Sequence, residues 1–183
     1  MKDYGNLAQE LFLKGYNCSQ AVFCAFAEEF GIKRELAAKL SSSFGGGMGR
    51  LRLTCGCVSG AMMVLSLALG YDPENAPVDA KGVHYEKVRA LAAALEVRNG
   101  SLICRELLAM KGVQAETGGQ PEARTEEYYK RRPCPEYVKI AAEETAKLLE
   151  KEGVSVTTSP NRGWASSVCS VEWPWRENTG QGA

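Results

Sequence analysis

Apolar positions recur at helical rather than strand-like intervals through most of the chain. Asn6 to Leu13 places Leu7, Leu11 and Phe12 on one side, the spacing of an amphipathic helix. Gly15 ends that segment, and Asn17 is placed to cap a second helix that starts at Cys18. Its apolar face is Ala21, Val22, Ala25 and Phe26, and Gly31 stops it. Lys33 to Ser43 predicts a third helix. After a glycine-rich stretch, Cys55 to about Leu69 is apolar nearly all round, which predicts a central buried helix. Ala80 to Val97 follows with Val83, Val88, Leu91 and Leu95 inward, closed by Asn99-Gly100. Ser101 is read as the cap of a helix carrying Cys104, Leu107 and Leu108. Gly112 to Arg124 is polar and predicts a surface loop. Pro135 suits the first turn of a last helix through Val138, Ala141, Ala142, Ala146 and Leu149. No segment before Gly153 alternates like a strand, and Val154 to Thr158 is the only β-like piece.

The pattern therefore predicts an all-α fold: a compact multi-helix domain over residues 1–152 around the central apolar helix. Residues 153–183 form an irregular C-terminal extension containing Trp164, Trp173 and Trp175. That extension packs either on the body or on a partner subunit, so a homodimer is one open arrangement. Lys+Arg 22 against Asp+Glu 22 leaves no net charge, which argues against nucleic acid as a partner. Val58 to Leu69 is too short an apolar run to span a bilayer, so no membrane insertion is expected. The opening MKDYGNLAQELFLKG has no apolar signal-peptide centre, and a cytoplasmic location is the expectation.

Chemistry enters with the cysteines, of which there are seven. In a reducing compartment they are expected to be free, metal-bound or redox-active rather than structural disulfides. Cys18, Cys55, Cys104 and Cys134 each fall at or near a predicted helix start. That placement favours a thiolate, because a helix N-terminus carries partial positive charge. Thr54 is read as the N-cap that leaves Cys55 at the first helical position. Just before it, Gly45, Gly46, Gly47 and Gly49 form a loop able to take positive φ and to present bare amide N–H groups. Arg50 and Arg52 follow; they are near the site in sequence, with surface exposure the simpler expectation. The four cysteines lack the close C-x₂₋₄-C pairs of structural zinc sites, and neither a C-x-x-C pair nor C-x-x-C-H occurs among them. Cys24 is expected in the core, and Cys169 lies in the extension.

The strings GYNCSQAV (15–22), FGGGMGR (44–50), CGCVSGA (55–61), CRELL (104–108) and CPEYV (134–138) together resemble the C_GCAxxG_C_C family of redox-active proteins. The resemblance implies an all-helical redox domain with Cys18, Cys55, Cys104 and Cys134 as its site. The split-Soret cytochromes c are similar over this cysteine pattern and hold a [2Fe–2S] cluster, although their haem motif is missing here. The family's CGAxxG reads CGCVSG, with Cys57 at the usual alanine. On a helix starting at Cys55, Cys57 would point about 200° away. It is therefore expected to pack in the core, with a fifth ligand as the exception.

An iron–sulfur cluster on four thiolates fits this picture, since helix N-termini and loop amides offset the residual negative charge. It would serve electron transfer or redox sensing, with a redox partner protein that the sequence does not identify. A metal-free protein in which two of the four thiols form a reversible disulfide is the competing reading, and a zinc-stabilised helical binding module is a third. The glycine loop fails both the P-loop pattern and G-x-G-x-x-G. His84, the only histidine, is read as exposed and without a role.

Overall fold

The structure, a computed structural model, describes residues 2–154. The Trp-containing stretch, Cys169 and most of the β-like segment lie outside the described residues. Within them the chain forms eight helices: α1 (Tyr4–Leu13), α2 (Cys18–Ala27), α3 (Arg34–Ser41), α4 (Gly56–Leu69), α5 (Ala80–Asn99), α6 (Cys104–Ala109), α7 (Glu126–Arg131) and α8 (Cys134–Lys151). The only β pairing among the described residues is one antiparallel bridge, Thr54 with Ile103. The fold is all-α, as the apolar spacing predicts.

Local signals set most boundaries. Asp3 caps α1 by accepting from the Asn6 N–H. Asn17 accepts from Ser19 and Gln20, while the Gln20 side chain accepts from the Asn17 N–H at 2.9 Å, a reciprocal capping box. Left-handed Gly31 and Gly100 stop the chain after Phe30 and after α5. Two expected caps are not caps. Cys55, not Thr54, is the N-cap residue of α4, in extended backbone with φ −61° and ψ 138°. Ser101 instead accepts from the Ile103 N–H and donates to Glu106, so α6 begins later, at Cys104.

α2 and α4 form one close pair and α1 and α8 another, with α8 also against α4 and α5. Phe12, Val22, Phe23, Phe26, Val64, Leu65, Leu91, Leu95, Val138 and Leu149 are fully enclosed between them. Tyr4 stacks on Phe26 with ring centroids 4.2 Å apart, fixing α1 over the end of α2. The α2–α4 approach depends on small residues. A Cβ on Gly60 would stand 2.7 Å from the Ser19 carbonyl oxygen, and one on Gly56 would stand 3.0 Å from Cys18 Cβ. Cys18 is thereby seated beside the start of α4.

α4 is central but not enclosed on every side. Val58, Ala61, Val64 and Leu65 are buried, whereas Met62, Met63 and Leu67 line an open apolar groove with Phe44, Leu40 and Leu53. On α5 the expected inward Val83 is exposed and the expected exposed His84 is buried. His84 Nδ1–H donates to the Leu69 carbonyl at 3.1 Å and its ring meets Tyr71, so it closes the α4–α5 connection. No helix among the described residues is long and apolar enough to cross a membrane.

Candidate functional site

Two of the cysteines are held together by a backbone zipper rather than by a helix. The Cys55 N–H donates to Leu102 O at 2.8 Å, and the Cys104 N–H donates to Leu53 O at 2.7 Å. The Arg105 N–H extends the ladder to Arg52 O. This pairing flanks the Thr54–Ile103 bridge and lays Cys55 against Cys104 although 49 residues separate them. The Cys104 thiol donates to Cys55. Opposite, Cys18 opens α2 and Cys134 opens α8, and their side chains are hydrogen-bonded to each other. The two groups are close enough that Cys18 feels the charge of Cys104, and Cys55 that of Cys18. Cys55 and Cys104 are buried, and Cys18 and Cys134 are half-buried.

Cys57 lies in this neighbourhood as well. Its sulfur is 3.4 Å from that of Cys55, and the two share a hydrogen bond. The 200° separation holds only when both residues are helical. Cys55 precedes the helix with extended backbone, so its side chain turns back toward the first turn of α4. Cys24 is buried apart from the group, 3.9 Å from the Arg34 carbonyl, and burial pushes its thiol up to about 11.

The glycine loop packs on the site rather than opening away from it. Gly47 is buried with φ +69°, and a Cβ there would be 2.7 Å from Cys104 Cβ. Gly45 presses on the Asn17 side chain, whose amide donates to Ser42 O at 2.9 Å. Gly46 faces the side chains of Arg50 and Arg52, and Gly49 is exposed at the loop's turn. Arg50, Arg52 and Met48 all take positive φ, an unusual backbone for residues with side chains.

Arg52 departs most from expectation, being buried with only 5% of its surface accessible. Nε donates to the Glu116 carbonyl at 2.7 Å, and Nη1 points at Cys104 Sγ from 3.9 Å. Arg50 is half-buried and donates to the Gly118 carbonyl at 2.6 Å. On the other side Arg124 donates to the Phe12 and Tyr16 carbonyls and lowers the cost of charge on Cys18. Tyr128 stands near Cys134 and Cys18, with Arg132 over its ring. Arg124 and Tyr128 carry no signal in the sequence as site neighbours, and Arg52, near the site in sequence, is buried where surface exposure is the simpler expectation. The one available signal was the alternation Leu51-Arg52-Leu53-Thr54, a short strand-like segment that pairs with Ile103.

At Cys18, Cys55 and Cys104, neighbouring thiols and burial work against the thiolate that a helix start favours. The hydrogen bond with Cys134, then burial, push the Cys18 thiol well up. At Cys55 the donation from Cys104 lowers the pKa, but Cys57, burial and Cys18 raise it further. Cys104, which holds its proton toward Cys55, is also pushed well up, against the pull of Arg52. Several thiols facing one another in a dry site cannot ionise together, and a helix-end partial charge is too small to change that. Such a group becomes thiolate when a cation joins it, with release of protons.

Among the described residues no three His, Cys, Asp or Glu side chains are placed to bind one metal ion. A single tetrahedral zinc does not match that arrangement. Two thiol groups side by side, Cys18 with Cys134 and Cys55 with Cys104, suit a binuclear centre in which each metal takes two thiolates.

In comparison with known proteins, the family description "Putative redox-active protein (C_GCAxxG_C_C)" matches residues 16–148, well over half of the chain. No curated protein and no solved structure matches.

Proposed function

Because the chain belongs to the C_GCAxxG_C_C family, we propose that it is a redox protein carrying a [2Fe–2S] cluster on Cys18, Cys55, Cys104 and Cys134. The single observation that carries this reading is the pairwise convergence of four thiols from four helix starts. When bound, such a cluster would supply one-electron transfer, used either to pass electrons to a partner protein or to sense oxidants.

The surrounding residues favour that role. Arg52 beside Cys104 and Arg124 near Cys18 bring positive charge to the thiol group, which would offset the negative charge of four thiolates in a site of low dielectric. Gly47 packs closely on Cys104 and Gly56 on Cys18. The half-burial of Cys18 and Cys134 leaves one edge near the surface, where an electron could leave.

The test is iron and acid-labile sulfide content, with the visible spectrum, of anaerobically purified protein. Wild type is expected to be brown with iron and sulfide in equal amounts. Cys55→Ser should lose or markedly alter the cluster, while Cys57→Ala should load near normally. Colourless wild type that takes up no iron and sulfide on anaerobic reconstitution overturns the reading. The reverse pattern of the two variants moves the ligand to Cys57.

A further inference from the structure

Cys57 has no place in the four-thiol reading, yet it is fully enclosed with its sulfur 3.4 Å from Cys55. We propose that Cys55 and Cys57 are a peroxide-responsive dithiol, closing to a reversible disulfide when the site holds no metal. It requires no cluster and stands or falls separately from the cluster reading.

Geometry permits the bond. Two Cα atoms separated by one residue are at most about 7 Å apart, at the edge of the disulfide range when extended and within it at a helix start. Closing from 3.4 Å to an S–S bond of about 2.04 Å needs only a modest turn of the two side chains. Cys55 sits before the first helical turn in extended backbone, which turns its side chain toward Cys57. Cys18 with Cys134 and Cys55 with Cys104 would instead cross-link separate helices, whereas Cys55 and Cys57 close a loop across one intervening residue.

Access selects the oxidant. Cys55 is 5% exposed and Cys57 is enclosed, so a protein disulfide cannot reach either sulfur, whereas a hydroperoxide is small enough. The Cys55 sulfur attacks the peroxide oxygen as its proton passes to the departing oxygen: the O–O bond breaks, Cys55 becomes a sulfenic acid, and that oxygen leaves as one water (or as the alcohol). The Cys57 sulfur then attacks the Cys55 sulfur, the S–O bond breaks, and the hydroxyl departs with the Cys57 proton as a second water. Two thiols are oxidised by two electrons and one peroxide is reduced. A second peroxide would otherwise carry the Cys55 sulfenic acid to sulfinic acid, which thiols do not reverse. The pair thus shields Cys55 from permanent loss. On the cluster reading above, it shields one ligand.

The full chain, stripped of metal and reduced, is exposed to hydrogen peroxide, alkylated under denaturing conditions and digested with trypsin. Cleavage after Arg52 and Lys81 gives a peptide whose only cysteines are Cys55 and Cys57. The expected result is that peptide unalkylated and lighter by two hydrogens, with alkylation restored by dithiothreitol. In Cys57→Ala and Cys57→Ser proteins, with folding checked by circular dichroism, Cys55 should accumulate as sulfinic acid at least severalfold above wild type. A peroxide-induced linkage from Cys55 to Cys104 or from Cys18 to Cys134, no change in the peptide, or equal sulfinic acid in wild type and both variants overturns the proposal. Iron and sulfide content reads the cluster and this map reads the pair, so one can fail without the other.

Discussion

Gly60 and the Ser19 carbonyl oxygen are so close that a Cβ on the glycine would sit 2.7 Å away. The contact is between backbones, with Val22 Cβ also at 3.1 Å, so no flexible side-chain tip can yield. α4 can therefore lie on α2 only with glycine at this position. Gly60→Ala is expected to lower stability by about 1–3 kcal/mol, the usual cost of overpacking, read as a lower urea midpoint. It should also push Cys18 away from Cys55 and reduce iron uptake on reconstitution. An unchanged midpoint would show that the two helices can separate freely.

Asn17 serves two elements at once, as the cap of α2 and, through its amide, as the anchor of Ser42 at the entrance to the glycine loop. Asn17→Ala should cost about 1 kcal/mol for the lost cap. Asn17→Asp keeps the cap acceptor but cannot donate to Ser42. It should retain most of the stability while increasing hydrogen exchange at the loop amides. Equal stability loss in both variants would place the contribution in the Ser42 bond instead.

Arg52 is the cation nearest Cys104, at 3.9 Å. If the four thiols hold a cluster, reduction adds negative charge there, and removing the guanidinium should make reduction harder. Arg52→Gln is expected to lower the midpoint potential by an amount on the order of 59 mV, a tenfold change for a one-electron couple. Glutamine also loses the Glu116 tether, so Arg50→Gln, which cuts the neighbouring Gly118 tether, is the control. Equal shifts in both variants would assign the effect to the loop rather than to charge.

Cys24 offers a pH test outside the site. Burial raises its thiol from 9.0 to about 11, so the folded chain keeps the proton that the unfolded chain loses first. Its stabilisation is fully present below pH 9 and is lost as pH rises from 9 to about 11. Urea midpoints measured across that window should fall more steeply in wild type than in Cys24→Ala. Parallel curves would mean that the thiol ionises alike in both states.

The helices were legible because their signals are local. Apolar spacing, Asn17 with Gln20, and glycines at left-handed stops act within a few residues, and α2, α5 and α8 form where these place them. The site was legible only as a set of helix starts. Arg52 is buried by partners, the Glu116 carbonyl and the Cys104 sulfur, that lie 64 and 52 residues away, which no window of sequence contains. The Cys55–Cys104 zipper was missed for the same reason. Ser101 looked like a cap but found Glu106, a competition between two local hydrogen bonds that composition does not rank. His84 was read as exposed from its polar neighbours, while the Leu69 carbonyl that buries it belongs to another element.

The packing of α1 against α8 joins the first helix to the last one described. Cys134 opens that last helix, so the thiol group is incomplete until nearly the whole domain has been synthesised and α8 has docked. During translation, Cys18, Cys55, Cys57 and Cys104 emerge early and wait without their partner. Long-range closure of this kind is slow relative to helix formation. The chain thus passes through an interval in which its thiols are made but not yet sheltered, and the timing of synthesis becomes part of the chemistry of the site.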